Sequence, residues 1–473
     1  MLYSEDLKAL LNSSKIKKPL EIWEDGISFL LQSGIVPTPY TLYKNLYVLS
    51  MGDEVSIVAT HNNEINLRFS HNYYYFHKFR KKVVANGDYF LELLKRAILE
   101  RVFLDKEIYL FHSAGKDSNL IALALAESEL KEKVICITLK GPKSKDESPI
   151  AKELARKMGL KHVIFELPNK ITSAHYDFLK TYFQNMFLPA VEGGVLIYPF
   201  YTMEFDFQGK NLLDGSGVDV FAGHVPRKVE YQRQKFFSWL SFFRALSDSL
   251  PTGNLFQKIT LTRAEWIGLD GFTYSDTKKL FPQAKPVYPF WKEEEKKRKN
   301  WDYFDFKADL WATHVEYGNV MRKVRILAEF SDANLIFPFT DEAVAKYLAT
   351  LPVEELFCRK TFTNKLFFRK ILKEKLNFEA DTPRKFSYPF DSKALLMNLM
   401  PFAKEEIFSC PLWEKKGLNQ VFQRLSAEFS QGNLSQAKRA VRLLLRLFIL
   451  SAWYNHRIVE NSSLVANRKN NDK

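Results

Sequence analysis

Cysteine is scarce in this chain. Three occur in 473 residues, Cys136, Cys358 and Cys410. Their spacing fits neither a disulfide framework nor a zinc site, so free thiols in a reducing compartment are expected. Long hydrophobic runs are missing too. The opening "MLYSEDLKALLNSSKIKK" lacks an apolar core of signal-peptide length. The most apolar late run, "VRLLLRLFILSAWY" (Val441–Tyr454), carries Arg442 and Arg446 and is far short of a membrane span. It reads as a packed C-terminal helix, and the chain as cytoplasmic with no membrane partner. There is no internal repeat, no low-complexity region and no Walker A phosphate loop of the form G-x-x-x-x-G-K-S/T.

What is present is ordinary globular composition with a bulky core. Hydrophobic residues make up 46% and charged residues 26%, and there are 40 phenylalanines. The formal charge is +14. A surplus of that size suits a nucleic-acid or membrane-surface partner, a basic cleft for an anionic ligand, or simply a solvated lysine-rich surface. The charges are scattered apart from "EEEKKRK" (Glu293–Lys299) and the tail "NRKNNDK".

Residues 1–32 read as helical. Pro37 and Pro39 then break any helix, and "NLYVLS" and "EVSIVAT" are β-prone around a Met-Gly-Asp turn. Residues 84–104 have helical periodicity. Next come "EIYLF", "SNLIALALAE", "KVICITLK", "SPIAKELARKMG" and "HVIFELP", which alternate strand, helix, strand, helix, strand. Short links between such elements imply an α/β fold with a parallel sheet. From about residue 230 the pattern turns mostly helical. The expected domains are a small α+β N-terminal piece at 1–83, a main domain at 84–460 and a disordered tail at 461–473.

The chemistry concentrates in one turn. "EIYLFHSAGKDSNLIALALAE" (Glu107–Glu127) leads from a strand into a helix through Ser-Ala-Gly-Lys-Asp-Ser. Such a turn is a natural anion site, because backbone amides and the helix dipole both face the ligand. Ser113, Ala114 and Gly115 are small enough for close approach, and Ser118 adds a hydroxyl. Asp117 would repel phosphate unless Mg²⁺ lay between them. Helix capping by Asp117 and Ser118 is the alternative. "NLLDGSGVDVF" repeats the pattern, an apolar run opening into a glycine-rich turn (Gly215, Gly217) with one acid, Asp219. Asp117 and Asp219 could share a Mg²⁺ bound to phosphate oxygens.

The first turn resembles the pyrophosphate-binding loop S-G-G-x-D-S of the ATP pyrophosphatase (PP-loop) superfamily. More narrowly, five further segments resemble the synthetase domain of asparagine synthetases: "DESPIAKELARKMGLKH" (Asp146–His162), "NLLDGSGVDVFAGH" (Asn211–His224), "LIFPFTDEAVAKYLATLP" (Leu335–Pro352), "KLFFRKIL" (Lys365–Leu372) and "TPRKFSYPF" (Thr382–Phe390). They occur in the family's order, and the resemblance spans roughly residues 85–455. It implies an ATP-dependent carbon–nitrogen ligase that adenylates a carboxylate, releases pyrophosphate and passes the acyl group to ammonia or an amine. It also implies ATP and Mg²⁺ as cofactors, Asp117 and Asp219 as metal ligands, and Lys385 as the cation that neutralises developing phosphate charge. Arg384 is a second candidate phosphate contact. Asp146 and Glu147 read as a loop and helix cap, and His112, His162 and Cys136 as structural.

The pattern is broken in places. Residue 2 is Leu2, not a cysteine nucleophile, and the piece before residue 84 is too short for a glutaminase domain. Nitrogen would then come from ammonia, a separate glutaminase or a substrate amine. Ala114 replaces a glycine of the loop and Lys116 a usually apolar residue. Ser216 and Val220 stand where the family has acids, and Ile336 where it has arginine. The nucleotide half of the site is thus largely kept and the acceptor half rewritten. Two alternatives stay open: a non-catalytic homologue acting as a partner subunit, and a tRNA-modifying PP-loop enzyme. The second loop and the "PFTD" and "RKFSYPF" segments argue against a nucleic-acid partner.

Overall fold

The computed structural model describes residues 2–16, 18–50, 52–59, 65–71, 83–222, 224–380 and 390–460. Its centre is a five-stranded parallel sheet built from β3 (Ile108–Phe111), β4 (Val134–Leu139), β5 (Lys161–Phe165), β6 (Asn211–Leu213) and β7 (Asn334–Ile336). An antiparallel hairpin, β1 (Asp53–Ala59) with β2 (Ile65–His71), precedes it. Strands covered by helices on both faces read as unbroken apolar runs, and "IYLF", "VICITL" and "NLL" do so. The spatial order is β5-β4-β3-β6-β7. The chain enters at β3, steps outward to β4 and β5, then returns to the other side of β3 for β6 and β7. That reversal leaves a crevice beyond the carboxyl ends of β3, β4 and β6, where α/β sheets bind ligands.

Helices fill both faces. In the helix Lys116–Ala126, only Asp117 and Ala126 escape full burial. The helix Leu434–Trp453 buries every residue from Ala440 onward except Arg442. It packs on the helix Glu24–Ser33, whose Ile27, Leu30 and Leu31 share one apolar cluster with Leu212, Leu444 and Trp453. The arginines expected to exclude a membrane span act here in packing. Arg446 is buried and donates to the carbonyls of Leu31 (3.1 Å) and Asp270 (2.6 Å). A cation there suits the negative carbonyl end of the first helix. Among the described residues, no helix is long and apolar enough to cross a membrane.

Two expectations need correction. "NLYVLS" forms no strand; only an isolated bridge, Tyr40 to Tyr47, occurs there, and "EVSIVA" pairs instead with Ile65–His71. Asn45 sits at φ 60° and breaks the extended run. "EEEKKRK" is not a wholly solvated charge run either. Arg298 is completely buried, donating to Asp309 (2.7 Å) and Glu294 (2.7 Å), and His314 lies 3.2 Å from the same Glu294 carboxylate. The expected tail at 461–473 lies outside the described residues.

His71 fastens the hairpin to this network. Its Nδ1 lies 2.7 Å from Asp53, and its Nε2 lies 3.1 Å from Thr313 and 3.8 Å from Asp309. Burial alone would lower its pKa; the carboxylates of Asp309 and Asp53 outweigh that and hold it at about 9, above the ordinary 6.5. A raised folded-state pKa means stabilisation that is complete below 6.5 and lost as pH rises through about 9. Hydrogen exchange in β1–β2, corrected for intrinsic rate, should therefore accelerate several-fold from pH 7 to pH 10. In His71→Gln it should be fast at both pH values.

Candidate active site

The crevice holds a cavity of about 270 Å³. One wall is apolar and aromatic, from Phe111, Ile137, Leu139, Tyr198 and Tyr201; the other is acidic, from Asp117, Glu147, Asp214, Asp219 and Glu316. No lysine or arginine lines it among the described residues. Of the positions singled out in the sequence, His112, Ser113, Asp117, Ser118, Glu147, Gly215, Ser216 and Asp219 line the cavity, whereas Ala114, Gly115 and Gly217 do not. Lys385 and Arg384 lie outside the described residues.

The first loop is held by its own side chains. Gly115 N–H donates to Ser113 Oγ (3.0 Å), and Ser113 N–H donates to Ser118 Oγ (3.2 Å). Asn119 Nδ2 donates to the carbonyls of Ser113 (2.9 Å) and Gly115 (2.6 Å). Its Oδ1 faces His112 Nε2 at 3.0 Å, and burial lowers the His112 pKa to about 4, so that ring is neutral. Ser118 thus braces the loop as well as facing the cavity. Ala114 is buried rather than presented to the cavity, so its methyl group does not narrow it. Asp117 takes no capping role: the N-cap of the helix is Gly115, with no side-chain bond.

The second loop packs directly on the first. A Cβ added to Gly215 would stand 3.2 Å from that of Asp117. Gly217 has φ +89°, and a Cβ there would come within 2.5 Å of Thr340 Cγ2. Glycine is required at 217 on both counts. Asp214 closes the turn by accepting from Ser216 N–H (2.8 Å). Neither Asp117 nor Asp219 lies at a strand end; each sits in the first turn of the helix that follows, Lys116–Ala126 and Val218–Ala222.

The residue that joins the two acids is Lys365, which opens "KLFFRKIL" and to which the sequence reading gave no role. Its Nζ lies 2.7 Å from Asp117 Oδ1, 2.8 Å from Asp117 Oδ2 and 2.7 Å from Asp219 Oδ1. Burial opposes its charge, yet Asp117 and Asp219 hold its pKa well above the ordinary lysine value. Burial would likewise raise Asp219, but Lys365 and His224 bring it well below the usual carboxylate range. Lys365 has φ 54°, left-handed for a residue with a side chain. Strained backbone of this kind persists where surrounding contacts over-determine it.

Glu316 was also missed. It lies on a rare stretch of π-helix, Trp311–Met321. The wide turn puts residues five apart on one face, and Trp311 Nε1 donates to Glu316 Oε2 at 2.7 Å. Gly217 N–H donates to its other oxygen at 2.6 Å. The indole of Trp311 stacks on His224 (3.9 Å between centroids), and His224 Nδ1 is 3.4 Å from Asp219. Burial, reinforced by the negative charge of Asp219, raises the Glu316 pKa to about 7.

Parallel-sheet crevice, paired glycine-bearing loops and two acids meeting on one lysine are the setting in which sequence comparison becomes informative. The pattern of the family described as asparagine synthase matches residues 89–455. The chain belongs to the asparagine synthase family. A protein of Methanocaldococcus jannaschii, named as a putative glutamine-hydrolyzing asparagine synthetase, is 22% identical over 257 residues. That alignment covers 53% of this chain and 48% of the relative, so the chain spans about half the length of the protein it resembles. Within the asparagine synthase segments, several residues serve structure. Asp341 of "PFTD" accepts from Ala343 and Val344 N–H and caps the helix Glu342–Thr350. Asp146 braces the loop, accepting from Gly141 N–H (3.3 Å) and Ser148 N–H (3.0 Å), while Glu147 takes the N-cap position of the helix Ser148–Met158 without a side-chain bond and lines the cavity.

Removing the Lys365 ammonium would leave two partly buried carboxylates facing each other. Lys365→Met should lose about 3–5 kcal/mol in urea unfolding at pH 7. Adding Asp219→Asn should restore part of that loss, because the two changes act on one charge cluster.

Proposed function

We propose that this chain is an ATP-dependent amide-forming ligase that adenylates a substrate carboxylate, releases pyrophosphate and transfers the acyl group to ammonia or an amine. The observation that carries this reading is the meeting of Asp117 and Asp219, from two separate sheet-end loops, at the acidic end of the cavity. Phosphates cannot approach that end unaided. The described lining carries five acids and no lysine or arginine, and Lys365 beside it is already engaged by both aspartates. A divalent cation resolves the conflict. Among the described residues, no group of three or more His, Cys, Asp or Glu could hold a metal by itself. Two carboxylates with substrate phosphates as the remaining ligands are what Mg²⁺ commonly uses. Asp117 and Asp219 would hold Mg²⁺, which would neutralise the phosphates and polarise the α-phosphorus toward attack.

The chain's own groups supply the rest. The apolar wall of Phe111, Ile137, Leu139 and Tyr198 suits a purine, leaving the triphosphate to run toward Ser113 and Ser118. Gly215 lets the second loop close on Asp117 without a side chain between them. Lys365 draws both carboxylates to one point and keeps Asp219 ionised. Lys385 would balance charge on the phosphates as the mixed anhydride forms, in line with the family resemblance of its segment.

Glu316 takes the acceptor side. Ser216, in place of an acid, offers no base, whereas Glu316 lines the same cavity and is held by Gly217 and Trp311. There it would accept a proton from the attacking nitrogen as the acyl–nitrogen bond forms and AMP departs. Acidic groups at both stages, with aromatic walls between, favour a small or extended carboxylate over a nucleic acid.

The two halves can be separated experimentally. ATP–pyrophosphate exchange, screened across candidate carboxylic acids, should appear with Mg²⁺ and fall roughly a hundredfold or more in Asp117→Asn and in Asp219→Asn. Glu316→Gln should keep exchange within a few-fold but slow amide formation by about 10²–10⁴. If no acid stimulates exchange and Mg·ATP gives no heat of binding, the ligase reading is wrong.

A further inference from the structure

Residues 228–258 are inside out. Phe236, Trp239, Phe243 and Leu246 follow the three–four spacing of an apolar helix face, which normally marks the buried side. In the structure that stripe meets solvent. Phe236 is 62% exposed, Trp239 66%, Phe242 81% and Leu246 60%, and Leu255 on the neighbouring helix Leu255–Thr260 is 70% exposed. The polar positions between them point inward. Arg244 is buried and grips Glu265 (2.8 Å) and Asp248 (3.1 Å), while Ser247 is fully buried. The aromatic groups are therefore not core residues that failed to find a place. They sit on a segment anchored by its charges and touch one another, Phe242 edge-on to Phe243 (5.4 Å between centroids) and Phe243 tilted toward Phe256 (6.3 Å). Contiguous exposed apolar surface of this kind marks a binding face.

The surrounding charge selects the partner. The only acids between residues 228 and 258 are Glu230, paired with Lys307, and the buried Asp248. Lys228, Lys235 and Lys258 are exposed beside the aromatic groups. Lys258 follows Leu255 at i+3 and reaches a second cavity of about 380 Å³, lined by Lys438, Arg439, Arg442 and the exposed Leu434. Arg439 is paired with Glu428 and Arg442 with Asp270; Lys258 and Lys438 make no ion pair among the described residues. A second copy of the chain pairing through this face would bring lysine against lysine with no exposed acid in the segment to offset it. Phenylalanine, tryptophan and leucine ringed by lysine are instead the composition of a surface that lies in a lipid interface.

We propose that residues 228–258, with the basic cavity at Lys258, Lys438 and Arg442, form a docking face for an anionic lipid surface. The aromatic side chains enter the headgroup region, and lipid phosphates occupy the basic cavity. Contact of this kind needs no spanning helix, and none occurs among the described residues. It stands independently of the ligase reading.

Flotation of the full chain with vesicles of phosphatidylglycerol and phosphatidylcholine in equal parts tests it. Wild type should float with these vesicles, less so as salt rises, and should ignore pure phosphatidylcholine. Phe236→Ser/Trp239→Ser/Phe242→Ser should cut the floating fraction roughly tenfold. Lys258→Glu/Lys438→Glu should abolish the preference for phosphatidylglycerol. Both variants should melt at the wild-type temperature, since the changed side chains face solvent. The proposal is overturned if wild type does not float, if it floats equally with neutral vesicles, or if the triple variant floats as wild type does. It is equally overturned if wild type binds only nucleic acid, or forms a dimer that the triple variant breaks without any vesicle binding.

Discussion

One ammonium group organises the loops at the carboxyl end of the central sheet. Lys365 reaches Asp117, just beyond β3, and Asp219, just beyond β6, from a third segment far along the chain. Each acid alone would resist burial, and the lysine alone would resist it more. Together they form a charge cluster in which every member needs the others, so the spacing of the two loops is set by the reach of one nitrogen. Gly215 fits this closeness, because a Cβ there would crowd Asp117 at 3.2 Å.

The cluster also governs what lies around it. Burial, reinforced by the negative charge of Asp219, raises the proton affinity of nearby Glu316, against the opposing charge of Lys365. A π-helix supplies the other constraint, because only its wide turn lets Trp311 and Glu316 share a face. Trp311 stacks on His224 and His224 approaches Asp219, so Glu316 and Asp219 are joined through packed groups.

Charge placement separates this chain from a simple sorting of polar residues outward. Arg298 and Arg244 are buried in ion networks, Arg446 caps a helix end, and the aromatic stripe of residues 236–246 faces solvent. Each inversion has a local cause. A buried arginine is tolerated where several oxygens meet its donors, and exposed aromatic groups are tolerated where the segment beneath them is held by such an arginine.

Much of the architecture was legible in the sequence. "EIYLF" and "KVICITLK" had to be buried strands because their runs are largely apolar and bounded by helices, "HVIFELP" reads as a strand although it lies at the sheet edge with Val163 exposed, and the turns after β3 and β6 had to be special because acids and glycines interrupt apolar runs there. Periodicity and turn chemistry are local, so one chain suffices to read them. The partners of those acids were not legible. Lys365 lies 248 residues from Asp117, and "KLFFRKIL" reads as an ordinary amphipathic helix start. Glu316 sits in a run whose five-residue register no α-helical pattern anticipates, and "FFSWLSFF" has the spacing of a core face although Arg244, which follows it, is on the buried side. Sequence determined the strands, the loops and the acids. Tertiary structure decided which distant charge neutralises them, because ion-pair partners are chosen by position in space and leave no periodic trace along the chain.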